Sequence, residues 1–139
     1  MYLLFLLSMS SENKTAFYER FNEKSDEFCK DLIQCFPGID QFKYVRSGLS
    51  LLKNIDMKQP QRIFHTYIST TNYRDFILEK NEDFFLNTTD IHIMSERKEY
   101  WTEFIQQIRD IWKTLSQDDK NTVWKYFHIL LVLSDKCQS

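Results

Sequence analysis

Large apolar residues recur along this chain at steps of three and four, the spacing of α-helices buried along one side. Over residues 11–36, Phe17, Phe21, Phe28, Leu32 and Phe36 fall on one such line and predict a first helix. Pro37-Gly38 ends it, because proline cannot continue the bonding ladder and glycine permits the reversal. Phe42, Val45, Leu49 and Leu52 predict a second helix over residues 39–54. Gly48 inside it costs roughly 1 kcal/mol against alanine, a hint of close helix packing.

Pro60 is placed to open a third helix, where its missing N–H is no loss. Ile63, Phe64, Tyr67 and Ile68 give that helix an apolar face, and residues 69–72 (Ser-Thr-Thr-Asn) break it. Tyr73, Phe76 and Ile77 suggest a short helix, followed by a turn at Asn81 and another short helical turn at residues 84–86. Residues 87–90 read as a loop, and Ile91-His92-Ile93 is too short an alternation for a strand. The cleanest amphipathic stripe comprises Trp101, Phe104, Ile105, Ile108, Ile111, Trp112 and Leu115, within a helix expected over residues 95–115. Ser116 is positioned to cap the last helix, with Asp118 and Asp119 complementing its positive end. Residues 127–133 are apolar almost all round apart from His128, which predicts a central helix.

These patterns define an all-α fold, a single bundle of about five main helices with one or two short ones. Phe28, Trp101, Phe104, Ile108, Trp112, Trp124 and Phe127 are the expected core anchors. Composition narrows the alternatives. Among 139 residues there are two glycines and two prolines, too few for the tight turns of a sandwich or barrel. Gly38 and Gly48 lie too far apart for a phosphate-cradling loop. Richness in Phe, Tyr, Ile, Asn and Lys points to an AT-rich coding sequence, which depletes glycine and proline whatever the fold. Position therefore counts for more than number, and Pro37-Gly38 and Pro60 stand where helices must stop or start.

Residues 1–10 are expected to be an apolar or disordered extension, with translation starting at Met9. Residues 11–136 form the helical domain and residues 137–139 a tail. The apolar run at residues 1–8 lacks a preceding positive charge and is too short to span a bilayer. A secreted or membrane-associated location follows should residues 1–8 act as a sorting segment. Cys29, Cys35 and Cys137 fit neither a disulfide framework nor a paired metal or redox motif, and read as reduced thiols.

No residue set carries a catalytic signature, and no metal or cofactor is implied. His65, His92 and His128 are scattered, and His128 reads as a hydrogen-bonded core or boundary residue. Glu82-Asp83 and Asp118-Asp119 read as caps or solvated charge. The net charge of −2 disfavours bulk attraction to nucleic acid. Locally, Lys43, Arg46, Lys53, Lys58 and Arg62 accompany only Asp56. On the second helix the basic residues are expected opposite the apolar stripe, first as a solvated face, then as a surface for an acidic protein partner and, less favourably, for nucleic acid.

The C-terminal half resembles small, uncharacterised helical proteins of large nucleocytoplasmic DNA viruses. Leu115, Ser116, Asp119, Lys120, Trp124, Lys125, Tyr126, Leu130, Leu133, Ser134 and Lys136 match that pattern, and residues 81–86 and the Trp101–Trp112 helix are similar to it as well. The resemblance brings no catalytic residues. It implies a viral protein of the host cytoplasm or the virion. The expected function is that of a non-enzymatic protein-binding module, a small structural or assembly component of the particle. The alternative is a helical adaptor or decoy that holds a host regulatory protein.

Overall fold

A computed structural model describes residues 2–87 and 98–139, with the side chains of residues 2–13, 84, 85, 87 and 98–101 outside that description. Helix α1 runs Tyr2–Cys35, α2 Asp40–Ile55, α3 Gln59–Phe64, α4 Asn72–Leu78, α5 Glu82–Asn87, α6 Lys98–Thr114 and α7 Gln117–Gln138. The described residues contain no strand. His65–Ser69 continue α3 as one π-helical turn.

The helix boundaries follow local chemistry. Pro37-Gly38 follows α1, and Pro60 occupies the first turn of α3. Thr71 caps α4 through its hydroxyl, which accepts from the Tyr73 amide at 3.3 Å. Ser116 caps α7 by accepting from the Asp119 amide at 3.1 Å. Lys80 turns the chain between α4 and α5 at φ 53°, in the left-handed region. His92 and the 91–93 segment lie outside the described residues, as does the expected start of the next helix at residue 95. The described part of α6 begins at Lys98.

Two boundaries differ from the sequence expectation. α1 extends back past Ser11 to Tyr2, because leucine-rich residues 3–7 favour helix and nothing interrupts them. α7 extends through Gln138, and Cys137, expected in a tail, is buried.

α7 is the central element, packed principally on α1 and also against α3, the π turn and α4. Leu131 is 1 % exposed, and burying a leucine of this kind contributes about 1.5–3 kcal/mol. The Tyr126 ring stacks on Phe28 at 4.5 Å between centroids, and Phe127 meets the Phe28 ring edge-on at 5.4 Å. The Tyr126 hydroxyl donates to the Asp31 carboxylate. Burial and the adjacent Asp31 raise that phenol's pKa.

The buried side of α1 is rotated from the phenylalanine line. Tyr18, Phe21, Asn22, Ser25 and Cys29 are buried, whereas Phe17, Phe28, Leu32 and Phe36 are half-buried. α1 is packed by α7 and by α2, so its buried sector centres between the two contacts. Asn22 Nδ2 also ties α1 to the α2–α3 turn by donating to the Met57 carbonyl at 2.8 Å.

Of the expected core anchors, Phe104, Trp112 and Trp124 are buried, and Phe28, Ile108 and Phe127 are half-buried. The Trp101 side chain lies outside the described residues. Trp112 and Trp124 meet edge to face at 5.3 Å within a cluster that includes Ile77 and Leu131.

Candidate binding surfaces

The five basic residues do not present one free basic face. Arg46 points back to α1, where its guanidinium grips Asp26 through two bonds of 2.7 and 3.1 Å. That contact holds the Asp26 carboxyl below its usual range. Arg62 donates to Asp56 at 3.2 Å, and the Lys58 ammonium lies 5.4 Å from the Tyr18 ring centroid. Lys43 and Lys53 are exposed. The expectation that Arg46 faces away from the packed side of α2 is thus corrected: its partner, Asp26, lies 20 residues away on another helix. Asp26, Arg46 and Lys53 border a polar groove between α1 and α2, in which the carboxylate offsets one of the two cations.

Gly48 does not serve close packing inside the molecule. A Cβ built there would meet nothing within 4 Å. It lies instead on the outward side of α2 among Tyr44, Leu51 and Ile55, which are 64 %, 65 % and 83 % exposed. Steps of four, three and four put these residues on one line. α2 therefore carries two apolar stripes, the packed one through Phe42 and a second facing solvent. The expectation from sequence covers only the first. The signal for the second was the same three-and-four spacing, read from Tyr44 instead of Phe42.

A third feature lies inside the bundle. A partly enclosed cavity of about 350 Å³ is bordered by Phe28, Leu32 and Phe36 of α1, by Phe42 and Ile77, by Ile108 and Ile111 of α6, and by Val123 of α7. Its walls present apolar surface only. Water gains nothing there without polar partners.

The groups expected to be structural are placed by contacts. His128 Nε2 lies 2.8 Å from the Ile77 carbonyl oxygen. Glu82 does more than cap a turn. It accepts the Trp112 indole N–H at 2.7 Å and pairs with Lys120 at 3.2 Å, and the indole bond foremost lowers its pKa. Cys29 and Cys137 are buried free thiols, pushed up to about 11 by desolvation, and Cys35 is an exposed free thiol. Among the described residues, no group of His, Cys, Asp and Glu is arranged to hold a metal ion. None of the described helices is long and apolar enough to cross a membrane.

The chain matches no protein-family model, no curated protein and no solved structure.

Proposed function

We propose that this chain is a non-enzymatic protein-binding module whose contact face is the outer side of α2. The observation that carries the reading is the line of Tyr44, Leu51 and Ile55, each about two-thirds exposed or more on one helix. Isolated exposed apolar residues are ordinary, but a contiguous set at helical spacing is the pattern by which one helix meets another. Gly48 at its middle lets a partner's backbone or a large side chain approach closely. The flanking Lys43, Ser47 and Asn54 are exposed and supply a polar rim.

On the resemblance of residues 115–136 to small helical proteins of large DNA viruses, the partner is a component of the particle and the role is structural or in assembly. Stoichiometric presence in purified particles, lost when Leu51 and Ile55 are replaced by glutamate, tests both halves of the reading. Absence from particles with retention of a host protein in infected cells selects the adaptor reading instead.

A further inference from the structure

The apolar cavity between α1, α6 and α7 is independent of the α2 face, and we infer that it is a binding site for a single hydrocarbon chain. Three observations converge on this class of ligand. The walls expose no polar surface, so they hold nothing that needs a hydrogen bond inside. The volume of about 350 Å³ falls within the range of small-molecule sites and exceeds a packing defect.

The proportions are those of a slot. Phe28, Leu32 and Phe36 border it along two turns of α1, about 12 Å at 1.5 Å per residue. A space of this length and volume accepts an extended hydrocarbon chain. The α6 wall, Ile108 and Ile111, reaches the body through large rings: Phe104 meets Phe42 at 5.5 Å and Trp112 meets Trp124 at 5.3 Å. These rings space α6 from α2 and α7, so the slot is propped open along the α6 wall. The charged head of an amphiphile stays at the mouth, since no charged side chain borders the interior.

The test is a fluorescence titration of the lipid-stripped full chain with cis-parinaric acid, a polyene fatty acid that brightens in apolar surroundings. One equivalent should bind saturably and be displaced by dodecanoate but not by butyrate. Ile108→Phe on α6 and Val123→Leu on α7 each fill part of the slot and should weaken binding at least tenfold in whichever variant folds, judged by circular dichroism. Leu51→Glu on α2 should leave binding unchanged.

Cosedimentation with phosphatidylcholine vesicles that is lost in the slot-filling variants identifies the chain as that of a bilayer lipid. Binding of the free acid without cosedimentation identifies a free fatty acid. Three results overturn the inference: no saturable binding by the wild type, unchanged affinity in folded slot-filling variants, or binding abolished by Leu51→Glu, which would place the probe on α2.

Discussion

Gln61 and Ser134, both without exposed surface, are joined across the α3–α7 interface by a bond of 2.9 Å from the Gln61 amide to the Ser134 hydroxyl. The Ser69 hydroxyl, from the π turn, lies 3.2 Å from the same oxygen. Three polar side chains thus meet in an otherwise apolar region and satisfy one another, which fixes how α3 and the π turn sit on α7. Ser134→Ala removes the shorter of the two bonds made by the Gln61 amide, which keeps the Ser134 carbonyl at 3.3 Å, and should cost about 1 kcal/mol. Adding Gln61→Leu should recover part of that loss, because both partners are then apolar. Urea unfolding of the two single variants and the double variant measures the coupling. Additive losses would show that the bond has no role in setting the interface.

Gly48→Ala should stabilise the chain by about 0.5–1 kcal/mol. The new methyl group meets nothing within 4 Å, and the residue lies inside a helix. The same substitution narrows the shallow point of the outer α2 stripe. Stability should therefore rise while affinity for a partner falls. Thermal unfolding and a binding assay on one preparation separate the two effects, and a drop in melting temperature would contradict the packing described for Gly48.

Acidification should destabilise the fold through carboxylates tied in the folded state. Glu82, held by Trp112 and Lys120, Asp26, held by Arg46, and Asp135, gripped by Arg74 at 2.7 and 2.8 Å, all have lowered pKa values. A lowered folded value means that the unfolded chain takes up protons first. The stabilisation is thus complete above the ordinary carboxylate values, about 4. It is lost as pH falls from there through the lowered folded values. Melting temperature should be flat from pH 7 to 5 and decline below. Asp135→Asn and Glu82→Gln should each reduce that decline, and an unchanged acid limb in both variants would contradict these assignments.

Cys35 should be alkylated first by iodoacetamide at pH 8. Cys29 and Cys137 are buried, and their thiols are raised to about 11, so little thiolate is present to react. Peptide mass spectrometry should find fast labelling at Cys35 and labelling of the other two only after denaturation. Fast labelling of Cys137 would show that the C-terminal turn of α7 is not packed as described.

Much of the fold was legible because its signals are local. Pro37-Gly38, Pro60, the break at residues 69–72 and the Ser116 cap each act within a turn or two, and the helices begin and end beside them. The face that α1 buries was less legible. It depends on where α2 and α7 come to lie, and that contact favours Ser25 and Cys29 over Leu32. The partner of Arg46 could not be read from α2 alone, since Asp26 is brought to it by the α1–α2 reversal. The exposed line of Tyr44, Leu51 and Ile55 was present as a second periodicity, but only the packing shows which of two stripes on one helix is left uncovered.

The most direct test of the α2 face compares what the wild type and a Leu51→Glu/Ile55→Glu variant retain from a lysate of the native source, quantified by mass spectrometry. Lys43→Glu/Lys53→Glu serves as a surface control, and circular dichroism confirms that all three share one fold. If α2 is the contact face, one protein should be retained near stoichiometry by the wild type and the lysine control, and at least tenfold less by the Leu51/Ile55 variant. Equal retention by all three folded proteins would contradict the assignment of α2 as the contact face.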